Sequence, residues 1–143
     1  MKKFFKNNKG FTLVEMIIVI AVMAILTVVV APQYIKYVEK SRIGTDKNAF
    51  GELKHMVEIS YVEAQAAGKT DAVVEVSIDA TSGALTYKAA TGDLDAYVVK
   101  VYPADSYEFK SNSFKTLGDV KFTVDPDTGI CTTDKDTTIA AFN

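Results

Sequence analysis

The chain has 143 residues, of which 48% are hydrophobic and 24% charged, with a formal net charge of −2. That length fits one domain, or one domain with an appendage. The slightly acidic balance gives no electrostatic footprint for nucleic acid, and a single cysteine, Cys131, excludes an intramolecular disulfide.

The averages conceal a division. Residues 1–10, MKKFFKNNKG, carry Lys2, Lys3, Lys6 and Lys9 and no acid. Without those four of the 16 basic residues the remainder holds 12 against 18 acidic ones, about −6. Met16 to Ala31 then contains no charge, and Thr27 is its one polar residue, before Pro32 interrupts. A basic head before an apolar segment retains the N-terminus on the cytoplasmic side, so the acidic remainder faces outward. For an outward-facing body without a disulfide, stability must come from packing and from contacts with other subunits.

Val29-Val30-Ala31 reads as a secretory cleavage site. Length argues against it, because Phe11 to Ala31 as a helix covers about 31 Å, enough to cross the hydrocarbon core of a bilayer. Glu15 is then out of place, since a carboxylate near hydrocarbon costs several kcal/mol unless it snorkels or is paired. Snorkelling is the simple reading, because Glu15 lies about one turn inside the membrane edge. The other reading is pairing: if the chain is cut after Gly10, the new α-amino group of Phe11 in a neighbouring copy supplies the cation.

Lys9-Gly10-Phe11-Thr12-Leu13-Val14-Glu15, followed by an apolar run and Pro32, resembles the class III signal of type IV pilins and pseudopilins. The resemblance covers about the first 32 residues. It implies cleavage after Gly10 by a prepilin peptidase, N-methylation of Phe11 and a role for Glu15 as the assembly carboxylate. It further implies a single-pass precursor in the cytoplasmic membrane with its C-terminal domain outside, and a helical homopolymer built by an assembly platform and ATPase into an extracellular pilus. Many pilins close a C-terminal loop with a disulfide, which this chain cannot do; that departure and the lysine-rich leader fit pilins of Gram-positive anaerobes.

Pro32 removes a backbone donor at a cost of about 3 kcal/mol, and the β-branched residues before it are weak helix formers. A kink is the plain expectation there. The resemblance implies more, a helix break at Pro32 with melting from about Ala21 when subunits pack. Beyond it, Tyr34, Ile35, Val38, Ile43, Phe50, Leu53, Val57, Tyr61 and Ala64 recur at helical spacing, which predicts an amphipathic helix buried on one face from about 42 to 66. Lys36, Glu39, Lys40, Asp46, Lys47, Glu52, Lys54, Glu58 and Glu63 are expected on its polar face. Gly68 is the stop signal. His55 has no second histidine or cysteine beside it and is not expected to hold a metal.

From Lys69 on, the pattern changes to short alternating runs. Residues 73–78, 84–89, 97–102, 120–124 and 130–132 read as strands, with turns at 79–83, 91–93 and 125–129, and with the tail 134–143 as coil or an edge strand. The expected fold is α+β, the type IV pilin fold, with a leader (1–10), a long helix (11–67) and a small antiparallel β-sheet head (68–143). The first part of the helix, 11–32, would be membrane-spanning and then filament core, and 33–67 amphipathic. Asp125 and Asp127 in Asp125-Pro126-Asp127-Thr128-Gly129 are the weak calcium candidates, because calcium takes convergent oxygens; a hairpin turn explains the same residues by backbone chemistry. No cofactor is otherwise expected. No nucleophile–base set, P-loop or dinucleotide turn is present, so no enzyme is expected.

The expected role is a structural subunit, a major pilin, of a filament serving surface motility, adhesion or biofilm. The alternatives are a pseudopilin of a secretion or DNA-uptake machine and a minor pilin acting as an adhesin.

Overall fold

The computed structural model describes residues 10–88, 93–104 and 106–142. The first element is one helix, α1 (Leu13–Ala66), which runs unbroken through Pro32. In the single chain, therefore, the proline does not break the helix. Two units divide the chain, one up to Tyr37 and one from Val38.

In the first unit nothing from Gly10 to Tyr37 is buried. Its backbone is helical although Val, Ile and Thr crowd the sequence. A helix satisfies every peptide group within the segment, which hydrocarbon demands.

The second unit is built on the amphipathic part of α1. Phe50, Leu53, Val57, Tyr61 and Ala64, spaced by three and four, are all buried, so they line one face. The helix stops where Gly68 takes φ +78°. There Lys69 N–H returns to the Ala64 carbonyl and Gly68 N–H to that of Gln65, both at 2.9 Å, which satisfies the last carbonyls.

Against this face lies a four-stranded antiparallel sheet of β1 (Val73–Ile78), β2 (Leu85–Tyr87), β3 (Asp119–Val124) and β4 (Cys131–Thr133), in the order β2-β1-β3-β4. Strict alternation buries Val74, Val76 and Ile78 on β1 and Val120, Phe122 and Val124 on β3. The register places Val74 opposite Phe122 and Val76 opposite Val120. Same-face partners in an antiparallel pair reinforce each other, so one face of the sheet is a continuous apolar layer. Phe122 meets Phe50 of α1 with ring centroids 5.3 Å apart.

The turn at 79–83 forms as its residues dictate. Asp79 Oδ1 accepts from the Thr81 and Ser82 amides at 3.0 and 2.7 Å, and Gly83 takes φ +81°. A Cβ at Gly83 would lie 1.9 Å from the Phe109 carbonyl oxygen, so only glycine fits.

Three expectations are corrected. Residues 97–102 are not a strand: α2 (Leu94–Val101) is a helix that buries Leu94 and Val98. Their separation of four, not the β-branched content of Val98-Val99-Lys100-Val101, sets the period. The tail is neither coil nor strand, since after a short α3 (Asn112–Lys115) and β4 it forms α4 (Asp136–Ala140). Asp136 starts it by accepting from the Thr133 amide at 2.9 Å. Asp46 is not on a solvated face but fully buried. The second predicted strand shrinks to Leu85–Tyr87, with Ala84 bridging to Glu108; Ala89, Thr91 and Gly92 lie outside the described residues.

Candidate functional site

The start of α1 is where the motif residues meet. Phe11 is 81% exposed. A Cβ on Gly10 would meet nothing within 4 Å, so nothing in the described chain demands glycine at this position. Thr12 and Glu15 form a reciprocal cap. Glu15 Oε2 accepts from the Thr12 amide and the Thr12 hydroxyl, each at 2.8 Å, and Thr12 Oγ1 accepts from the Glu15 amide at 3.3 Å. This is a capping box, in which two amides at a helix start find side-chain oxygens. The carboxylate also lies at the positive end of the helix dipole.

The spacing Thr12-x-x-Glu15 carries that signal in the sequence, and neither the snorkelling nor the pairing reading of Glu15 took it into account. A carboxylate offers about four lone-pair sites over two oxygens. The cap, held through Oε2, is therefore compatible with an incoming ammonium group.

From this cap the helix exposes Leu13, Val14, Met16, Ile17, Ile18, Val19, Ile20, Val22 and onward to Val30. The stretch is long and apolar enough to cross a membrane, and none of it is buried within the chain.

A prokaryotic N-terminal methylation motif matches residues 5–31. That segment, with the apolar helix it opens, supports a likeness to type IV pilins. Relatives point the same way. A type IV major fimbrial protein FimA of Dichelobacter nodosus is 32% identical over 62 residues, 43% of this chain and 40% of the relative. A fimbrial protein of Pseudomonas aeruginosa is 34% identical over 58 residues, 41% of this chain and 38% of the relative. The match thus spans about two-fifths of the curated relatives' length. No solved structure matches the chain. The long N-terminal helix followed by a small antiparallel sheet accords with the α+β pilin fold.

The other predicted positions lie in the second unit. Asp125 Oδ1 accepts from the Asp127 and Thr128 amides at 2.8 and 3.1 Å, while Gly129 N–H returns to the Asp125 carbonyl at 2.8 Å. Those bonds hold the Asp125 carboxyl below its ordinary range and are what an Asx hairpin turn requires. Among the described residues no three His, Cys, Asp or Glu side chains converge as a metal set. His55 Nδ1 lies 3.3 Å from Glu58 on an exposed surface. Cys131 is buried, and burial pushes its thiol up to about 12, which makes it unreactive.

Pattern reading missed how the head is tied to α1. Asp46 Oδ1 accepts from the Tyr107 hydroxyl at 2.7 Å, and Asp46 Oδ2 from the Lys110 and Ser111 amides at 3.0 and 2.7 Å. Further along, Lys47 donates to the Phe142 carbonyl at 2.7 Å, Lys54 to Asp136 at 3.1 Å, and Glu58 Oε1 accepts from the Cys131 amide at 2.8 Å. Lys47, Lys54 and Glu58 recur at seven and four, one helix stripe. They fasten β4 and the tail to α1.

Proposed function

We propose that this chain is a major pilin, the structural subunit of a type IV pilus filament. It is inserted as a single-pass precursor with the head outside, cut after Gly10 by a prepilin peptidase, N-methylated on Phe11 and drawn into a helical homopolymer. The observation that carries the reading is the uncovered apolar helix beginning at the Thr12–Glu15 cap. Its surface exchanges lipid for neighbouring helices. Lipid and aliphatic side chains are similarly apolar, so the exchange has little hydrophobic drive and needs an assembly platform and ATPase.

In the filament the Glu15 carboxylate meets the Phe11 amine of a neighbouring copy. Pairing neutralises two charges held out of water and sets register, with desolvation limiting the net gain. The pilus supports surface motility, adhesion or biofilm.

The test separates the cap from the charge. Gln serves a capping box as Glu does, so Glu15→Gln keeps the helix start and loses the charge, while Glu15→Ala loses both. Filaments are counted by electron microscopy, and cleavage at Gly10-Phe11 with one added methyl is read by intact mass. The expected outcome is normal processing and filament loss in both variants. Wild-type filament numbers with Glu15→Gln would show that Glu15 acts as a cap alone.

A further inference from the structure

We propose that Tyr34, Lys36 and Tyr37 form a collar that seats the precursor's helix in the outward-facing phospholipid headgroup layer and thereby sets its depth. The proposal rests on the reading of residues 11–31 as a membrane span.

Position is the first argument. α1 continues as helix past Ala31, so Tyr34, Lys36 and Tyr37 lie about 4.5, 7.5 and 9 Å beyond the end of the span. A headgroup layer is about 5–8 Å thick on each side of the hydrocarbon core, and helix tilt lowers all three heights. The three residues therefore fall in or at the edge of that layer. The distance back to Glu15 supports the same placement. Glu15 and Tyr34 are separated by about 28 Å of helix, against a hydrocarbon thickness of about 30 Å. With Tyr34 held at the outer boundary, Glu15 and its Thr12 cap stand at the inner one.

Chemistry is the second argument. Tyrosine has an apolar ring and a polar tip, the form that favours the membrane–water boundary. Tyr34 and Tyr37 are 65% and 73% exposed, and Ile35 between them 66%. The tyrosines of the head differ: Tyr61 is buried, the Tyr87 hydroxyl donates to the Tyr102 carbonyl and that of Tyr107 to Asp46. Those serve the protein's own packing, whereas Tyr34 and Tyr37 do not. They sit three apart and so share a side of the helix. Lys36 projects from another side, where its ammonium meets lipid phosphate while its stem lies along the acyl boundary. Apolar surface, hydroxyl tips and a cation together match a phospholipid headgroup layer better than either water or hydrocarbon.

The chain has no tryptophan, so single substitutions make clean depth reporters. The uncleaved full chain is reconstituted into phosphatidylcholine–phosphatidylglycerol vesicles carrying Tyr37→Trp or, separately, Val22→Trp. The Tyr37→Trp reporter should show blue-shifted emission, strong quenching by lipids brominated near the headgroup and little by lipids brominated near the chain end. Val22→Trp should show the reverse order. Tyr34→Ala with Lys36→Glu, added to Val22→Trp, should shift its quenching profile. The collar is overturned if Tyr37→Trp is open to aqueous iodide and untouched by brominated lipid while Val22→Trp stays deep. It is equally overturned if the double substitution leaves the Val22→Trp profile unmoved. Iodide access at Val22→Trp would instead sink the span reading, and the collar with it.

Discussion

The stretch of α1 before Val38 and the stretch after it are parts of one helix with opposite relations to solvent. Before Val38 lies the densest apolar sequence in the chain, and no side chain there is buried. After it the sequence is mixed, yet Ile43, Phe50, Leu53, Val57, Tyr61 and Ala64 are buried. The kinds of apolar residue differ as well. From Thr12 to Gln33 they are aliphatic or methionine, without an aromatic ring. Beyond Val38, Phe50 of α1 meets Phe109, Phe114 and Phe122 of the head in one cluster. Apolar content alone therefore does not make a core. Periodicity and large rings do, and a uniformly apolar helix needs lipid or other copies to cover it.

The largest way to break that comparison is to remove a ring from the head. Phe114 is fully buried, stacked on Phe109 at 5.2 Å and facing Phe50 and Phe142 at 5.9 and 5.3 Å. Phe114→Ala is expected to cost about 3–5 kcal/mol of head stability. Leu26→Ala, in the uncovered stretch, should leave head unfolding unchanged, since its surroundings are not the chain's own. Urea unfolding in detergent, followed by tyrosine fluorescence, measures both. A comparable loss for Leu26→Ala would mean that the two stretches do not differ in this way.

Much of this architecture was legible in the sequence because its signals are local. The three–four spacing from Phe50 to Ala64, the alternation in 73–78 and 120–124, and the Asp…Gly turns each name their element. The start of the helix was half legible. Thr12-x-x-Glu15 names its cap, but an acid beside a membrane-length run draws attention to charge before hydrogen bonding. Two further features were hidden for physical reasons. Apart from Lys100, residues 97–102 are β-branched or aromatic, and only burial of Leu94 and Val98 by the rest of the head selects helix over strand. Asp46 sits among charged neighbours that are solvated. Its burial depends on the amides of Lys110 and Ser111, which lie 64 and 65 residues away in the chain.

Asp46 supplies the next prediction. Asp46→Ala leaves the buried Ser111 amide and the Tyr107 hydroxyl without their acceptor, and hydrogen bonds to a charged group contribute about 1.5–3 kcal/mol each. The expected loss is about 3 kcal/mol, while Glu52→Ala on the exposed side of the same helix should stay within about 0.5 kcal/mol. Burial, and after it the bond to Asp46, pushes the Tyr107 hydroxyl above its ordinary range. The variant should therefore also lower the midpoint of tyrosine ionisation at that residue, read by ultraviolet difference spectra. A loss no greater than that of Glu52→Ala would show that Asp46 is not the tie between α1 and the loop before α3.

The smallest effect concerns the tail, where the head has charged ties on α1 in place of a covalent bridge. The Cys131 amide holds the Glu58 carboxyl below its ordinary range, against burial and with help from His55 and Lys54. At Asp136 burial alone acts upward, but the Thr133 amide and hydroxyl together with the Lys54 ammonium outweigh it and bring the carboxyl down. Both folded values lie below the unfolded ones. The stabilisation is therefore complete above the ordinary carboxylate range and fades as pH falls through the folded values. Asp136 is 42% exposed and Lys54 26%, so screening limits their pair to under about 1 kcal/mol. Carboxyl-carbon NMR titration should place both midpoints below those of an unfolded reference. Lys54→Met should move the Asp136 midpoint upward while leaving Asp79, held by its own turn amides, where it was. If the Asp136 midpoint does not move, the tail is held by Phe142 packing on Phe114 and by the Lys47 bond to the Phe142 carbonyl, not by the Lys54–Asp136 pair. The polar ties from α1 to its head would then be those of Asp46, Lys47 and Glu58, without Lys54.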